Sequence, residues 1–462
     1  MELKRYKLGD ICYINKASLK STDKVDDILY LDTSNITENA IAELQSFQRK
    51  NAPSRAQRKV GNKTIIFSTV RPNQNHFGIM NNPQTNLIVS SGFTTLDIKD
   101  AKEFDANYVY LKLTQPAIVD YLQTLAQNSV SSYPSINPDD IANLSFSFPP
   151  LPTQQKIAAV LSALDDKIAL NRRISAKLEA MAKLLYDYWF VQFDFLDENG
   201  KPYRSSGGKM VWNDELKREI PDGWEVGNLY DIADFFNGLA CQKYRPTDEN
   251  HKLPVIKIDQ MHNGFDSDVE WARDNVPTKN IIENGDILFS WSATLETMLW
   301  TKGKGVLNQH IFKVVPKNID KYFVFQHLSA YIVNFVRMAE ARKTTMGHIT
   351  TDHLNQSRIV IPSKEIAEMY GSIVSAIYEK YLICAEENQH FASLRDFLLP
   401  LLMNGQVKVT DNLQQDENII SFKDSYEQRF NYWLENQCLA ARGTVSEKTL
   451  RAIFDAMDDD DK

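Results

Sequence analysis

Cysteine is scarce in this sequence: Cys12, Cys241, Cys384 and Cys438 are the four in 462 residues, and no two lie close together. Such scatter excludes a disulfide scaffold and a cysteine-based zinc site, and fits a reducing compartment. Long apolar runs are missing too. None approaches the ~18–20 residues of a bilayer span, and Met1-Glu2-Leu3-Lys4-Arg5 leads into no signal-peptide core. A cytoplasmic chain with no membrane partner is expected. Positive charge is in deficit, with 52 basic against 60 acidic side chains and a net charge of −8. On the scale of the whole chain, that balance argues against nucleic acid.

Catalytic signatures are absent as well. Gly208-Lys209 is not a phosphate-binding loop, because Tyr203 stands where its first glycine belongs and Met210 where Ser or Thr would hold magnesium. No glycine-rich fingerprint for a dinucleotide or S-adenosylmethionine occurs. Asn137-Pro138-Asp139 and Phe148-Pro149-Pro150-Leu151 only approach the Asn/Asp-Pro-Pro-aromatic pattern of amino-methyltransferases. Asp197 with Glu215-Leu216-Lys217 mimics a nuclease carboxylate–lysine set loosely. The eight histidines lack metal-ligand spacing, His348 and His353 included. No catalytic residue and no metal site is assigned.

The charge that is present is uneven. From Asp411 to Lys462 twelve acidic and six basic residues account for most of the excess, so the body is nearly neutral and local patches can dominate its field. The closing Asp458-Asp459-Asp460-Asp461-Lys462 also spells a tag-removal protease site and is left out of the functional reading.

The body is written twice. Leu8-Gly9-Asp10-Ile11 recurs as Leu229-Tyr230-Asp231-Ile232, and Thr64–Ser68 recurs as Asp286–Ser290. Tyr108–Leu113 with Ile118–Tyr121 recurs as Tyr322–His327 with Ile332–Phe335, and Phe146–Pro149 echoes Arg358–Pro362. Four matches in order mean a duplicated domain. Each copy opens with short β-type runs such as Asn62–Ser68, Leu87–Ile98, Val255–Ile258 and Gly285–Ser290. Helices follow, over Asn107–Leu125 and Lys321–Glu340.

Next comes a stripe at steps of three and four: Ile157, Leu161, Leu164, Ile168, the polar Asn171, Ile174 and onward to Tyr188. It predicts one amphipathic helix over Ile157–Phe190, about 50 Å long. The second copy gives Ile366, Tyr370, Ile373, Ile377 and Lys380, the last at the same step as Asn171. Two such helices are expected to form one antiparallel, pseudo-twofold coiled coil. Asp194–Asp222 reads as an exposed linker.

Binding chemistry concentrates in a few loops. Arg49, Lys50, Arg55, Arg58 and Lys59 form an eleven-residue run with no acid, able to neutralise several phosphates. Replacing Arg55 and Arg58 by alanine is expected to weaken DNA binding and flatten its salt dependence, measured by titration over a range of salt. Arg71, Asn73, Gln74 and Asn75 carry paired donors and acceptors that suit base edges, arginine for guanine and the amides for adenine. In the second copy Trp291, Gln309, His310, Arg342, Lys343 and Thr344 are the counterparts. A polar turn at 71–76 and a core aromatic at 291 are the plain alternatives.

This plan resembles the specificity subunit of type I restriction–modification systems. The residues that carry the likeness are Phe148-Pro149-Pro150-Leu151-Pro152-Thr153-Gln154-Gln155-Lys156-Ile157, Gly285–Ser290 and Pro221–Ile232. The resemblance implies an α+β fold, with two mixed α/β target-recognition domains joined by two long antiparallel coiled-coil helices. Target-recognition domain 1 would occupy 1–150, a spacer helix 151–195, a linker 196–221, domain 2 222–361, the second spacer helix 362–408, and an acidic extension of unknown role 409–462. It further implies a non-catalytic subunit that reads a split, asymmetric site on double-stranded DNA, with half-sites more than one turn apart. The partners would be two modification subunits, which bind S-adenosylmethionine and methylate adenine, and restriction subunits, which use ATP and magnesium. The specificity partner of a fused type II enzyme and an assembly protein without sequence readout are the alternatives.

Overall fold

The computed structural model describes residues 3–129, 133–265, 268–292, 294–341, 349, 351–407 and 409. Arg342, Lys343, Thr344, His348 and Cys438 lie outside them, as does the extension from 410 onward. Two compact units are formed. One comprises residues up to Ala169 together with the chain from Phe391, and the other comprises Leu170–His390.

The duplication read from sequence is a duplication of topology. In the first copy a four-stranded sheet runs Cys12–Ile14, Phe93–Ile98, Ile65–Ser68, Phe77–Ile79, all antiparallel. The second copy repeats this order as Ala233–Asn237, Ile311–Pro316, Ile287–Ser290, Glu296–Leu299. A second sheet in each copy contains one parallel pair, Asp27–Leu31 beside Leu87–Ser90 and Lys252–Ile256 beside Gly305–Leu307. Lys4–Lys7 with Ser145–Phe148, and Glu225–Gly227 with Ile359–Ile361, close each copy as a two-stranded ribbon.

Ile65–Ser68 and Ile287–Ser290 are buried at every position, which is why they read as unbroken apolar runs rather than alternating ones. The single run expected over Leu87–Ile98 is two strands, because Ser91-Gly92 turns the chain from one sheet into the other. The helix expected over Asn107–Leu125 is likewise two, Ala106–Leu113 and Pro116–Gln127. Proline lacks the amide proton and pushes its predecessor out of the helical region, so Gln115 sits at ψ 138°.

The first long helix is Leu151–Tyr186, continued by a π-turn over Asp187–Val191. The second is Lys364–Met403. In the second unit Asn171 faces Glu387, while Tyr370 reaches the Ala182 carbonyl, so the two run antiparallel there. The buried Asn171 amide donates to Glu387 Oε2 at 2.9 Å; it does not meet Lys380, which is half-buried. Ile168, Tyr370, Ile373 and Ile377 are buried, and Leu164 and Ile366 are half-buried. Ile157 and Leu161 pack in the first unit among Tyr108, Leu111, Leu122 and Leu402. They therefore bury against the first copy's own helices as well as the helix pair.

The Pro-Pro-to-helix junction has a physical reason for its glutamine. Gln154 is buried, donates to the Glu103 and Pro149 carbonyls at 3.0 and 2.8 Å, and accepts from the Asp105 amide at 3.0 Å. Asp105 in turn caps Ala106–Leu113.

The segment expected to be an exposed linker is structured instead. It contains a hairpin, Met210–Asn213 with Arg218–Pro221. Phe195 stacks between Tyr203 at 4.6 Å and Trp224 at 5.0 Å, and Ile220 is buried. Serine and glycine dominate 205–208, whereas Phe195, Tyr203 and Ile220 around them supply the burial that pins the segment.

Candidate nucleic-acid interface

In the first copy, strand Ile65–Ser68 delivers the chain into a loop whose backbone is held in uncommon conformations. Arg71 lies at φ 47°, ψ 68° directly before Pro72, and Asn75 lies at φ 56°. Left-handed geometry at a non-glycine residue costs on the order of 1–3 kcal/mol. It persists here because neighbours determine it. The Arg71 amide donates to the Pro134 carbonyl at 2.9 Å, and the guanidinium stacks over Tyr133 with its centre 5.5 Å from the ring. Asn75 donates to Glu38 Oε1 at 2.9 Å. Arg71, Asn73 and Gln74 face solvent, with Asn75 half-buried.

The basic run is less uniform than its sequence implies. Arg49 donates to the carbonyls of Lys20 and Asp23, and Lys59 pairs with the Asp23 carboxylate at 2.8 Å. The Lys59 hydrogen bond, helped by the Lys20 amide, holds Asp23 below the usual carboxylate range. Arg58 is half-buried beside Ser18. Lys50 and Arg55 remain exposed. The Ser91 amide donates to the Arg55 carbonyl, and the Thr69 amide to the Gly92 carbonyl. One tight turn therefore connects Arg55 to the Arg71 loop. A Lys50→Ala, Arg55→Ala double variant should lower the salt slope by about two; Arg49→Ala should show up in thermal stability instead.

In the second copy Trp291, Gln309 and His310 come together. The indole lies 5.6 Å from the His310 ring and 6.0 Å from Phe312, and its Nε1 donates to Asn237 Oδ1 at 3.2 Å. Gln309 Nε2 lies 3.4 Å from His310 Nε2. Gly238 permits this: a Cβ there would stand 2.1 Å from the Asn308 carbonyl oxygen. Glu296 closes the far side of the hairpin, paired with His262 at 2.8 Å.

The equivalence of the copies extends to individual backbone bonds. Thr69 donates to Gly92 and accepts from Ile136, both at 2.9 Å; Trp291 donates to His310 at 3.3 Å and accepts from Ile349 at 3.0 Å. Ser68 and Ser290 hydroxyls each donate two residues onward, to Val70 and Ser292. One frame thus presents Thr69 and Gly92 in one copy, and Trp291 and His310 in the other.

Tyr133, Glu38, Asn237, Glu296 and His262 belong to these surfaces and escaped the sequence reading. Each is brought in by a partner far along the chain, for which spacing gives no signal. Among the described residues no group of acids, histidines and cysteines could hold a metal, and no helix is long and apolar enough to cross a membrane.

Two copies of one mixed-sheet frame with different side chains at matching positions define a tandem recognition protein. The sequence profile of the type I restriction modification DNA specificity domain matches residues 2–180 and 221–390, and the chain belongs to that family. It is 25% identical over 460 residues to the type I restriction enzyme HindI specificity subunit of Haemophilus influenzae, covering 87% of this chain and 99% of that one. Identity is also 25% over 419 residues to the MjaIX specificity subunit of Methanocaldococcus jannaschii, covering 89% and 90%. The crystal structure of a type I restriction-modification S subunit from M. genitalium shares the fold, with a TM-score of 0.52 and 13% identity over 87% of this chain and 96% of that one.

Proposed function

We propose that this chain is the DNA sequence-recognition subunit of a type I restriction–modification complex. It reads a bipartite asymmetric site on double-stranded DNA, one half per copy, and directs adenine methylation and restriction by partner subunits. Chemistry resides on those partners: S-adenosylmethionine on two modification subunits, ATP and magnesium on restriction subunits. The observation that carries this reading is the exchange of Thr69 and Gly92 for Trp291 and His310 on matching backbone bonds. A frame built only for assembly has no need of such divergence.

Arg71 and Asn75, with exposed Lys50 and Arg55 beside them, serve the first half-site, and Trp291, Gln309 and His310 serve the second. Methylation-sensitive sequencing of cells carrying this protein and its modification subunit should return two short specified blocks separated by unread base pairs. A single uninterrupted motif would overturn the reading. Trp291→Ala should relax one block only and weaken binding about 10- to 100-fold, the range of one good base contact. Equal loss at both blocks would remove Trp291 from direct readout.

A further inference from the structure

The second copy carries a cleft of about 450 Å³ at the opposite end of strand Ile287–Ser290 from Trp291. Five residues of extended chain put these two places about 16 Å apart. Lys279, Lys313 and Lys321 converge on the cleft around one carboxylate, Asp286, with Phe236 and Pro316 as apolar wall.

The carboxylate is already spoken for. Asp286 Oδ2 accepts from Lys313 Nζ and from the Glu283 amide, both at 2.8 Å. The next nearest acid, Asp320, accepts from the Tyr322 and Phe323 amides at 2.8 and 2.9 Å and caps the helix that begins at Lys321. Lys279 lies over the Phe236 ring at 5.6 Å and is exposed. Lys321 Nζ has no hydrogen-bond acceptor among the described residues. Burial and the neighbouring Lys313 pull its pKa below the usual lysine value, against the opposing pull of Asp286 and Asp320.

The fold does not demand this arrangement. The paired registers Ile66–Thr95 and Leu288–Lys313 make Thr95 the first-copy counterpart of Lys313. Thr64 stands in the place of Asp286 and Asn15 in that of Phe236. Thr64 and Thr95 are fully buried. The first copy has two buried threonines there, with the Thr64 hydroxyl donating to the Asp97 carboxylate at 2.5 Å, where the second has converging lysines.

We propose that this cleft is a binding site for a phosphate-type oxyanion, held by Lys279, Lys313 and Lys321. Phosphate offers several acceptor oxygens to converging ammonium donors, and its charge relieves their mutual repulsion. The site does not depend on the base-reading loops. Its phosphoryl group comes either from the DNA backbone or from a free phosphorylated small molecule, and the two sources are separable.

Isothermal titration of the full chain with inorganic pyrophosphate, alongside DNA binding over a range of salt, tests the proposal. Lys279→Met and Lys321→Met should each weaken pyrophosphate at least tenfold, while Lys321→Arg retains most of the binding. Lys279 is exposed, so its variant folds and keeps the test decisive should Lys321→Met not. A DNA salt slope lowered by about one in the Met variants assigns the oxyanion to the DNA backbone. Lost pyrophosphate binding with an unchanged slope assigns it to a free ligand. If neither pyrophosphate affinity nor the slope responds, the proposal is wrong.

Discussion

Replacing Phe190 by alanine is expected to destabilise the second unit by about 3–5 kcal/mol, the largest loss for any single truncation named here. Phe190 follows the end of the first long helix, where the π-turn carries Tyr188, Trp189 and Phe190, the last two buried. Its ring lies 4.8 Å from Phe323, 4.9 Å from Tyr370, 5.4 Å from Tyr186 and 5.9 Å from Trp224. These come from both long helices and from two places in the second copy, so a void at 190 cannot be filled by moving one of them. Of the seven tryptophans, six, from Trp189 to Trp300, lie in the second unit and none in the first, with Trp433 outside the described residues. Intrinsic fluorescence in urea therefore follows this unit, and its midpoint should fall sharply. A shift no larger than that of a surface substitution would show that the cluster repacks.

The second large effect is acid lability centred on His327. The imidazole is buried, its Nδ1 lies 2.9 Å from the Tyr186 hydroxyl, and burial followed by nearby Arg218 pushes its pKa down to about 4. An unfolded histidine titrates near 6.5. Between those values the unfolded chain takes up a proton that the folded one refuses, so stability falls as pH drops. The contribution is intact above pH 6.5, declines through the window and levels off below about 4, a total of about 3 kcal/mol. The neutral ring and the Tyr186 hydroxyl share one hydrogen bond at Nδ1. His327→Gln keeps an acceptor for Tyr186 and removes the titration. Its urea midpoint should depend less on pH between 6.5 and 4 than that of the parent. Parallel pH profiles would assign the acid sensitivity elsewhere.

The duplication was legible because its strands are continuous buried runs, and such runs survive divergence at surface positions. The repeat left the partner of Asn171 unnamed, and the failures after it have distinct causes. A repeat relates Asn171 to Lys380 by a constant difference in number, but facing residues in an antiparallel pair share a constant sum. Equivalent residues thus occupy symmetric places rather than opposite ones, and Asn171 meets Glu387. The linker misled because its Ser-Gly stretch was weighed over the Phe195–Tyr203 stack and the hairpin on either side of it. Pro116 announced a helix break that the apolar pattern on either side concealed. Of the candidate interface, the strand-following loops were readable from amide and arginine content. Which cations of the basic run were free was not: Asp23 lies 26 residues before Arg49, and nothing in the sequence joins them.

The matched backbone bonds at Thr69 and Trp291 bear on how such a protein changes what it reads. Main-chain groups make the matched bonds in both loops, so those bonds do not depend on which side chain is presented. A glycine exchanged for histidine, or a threonine for tryptophan, alters the surface offered to a base and leaves the supporting hydrogen bonds in place. What limits such an exchange is packing: a Cβ at Gly92 would stand 3.1 Å from Thr33 Cγ2, and Trp291 packs against the core of its own copy.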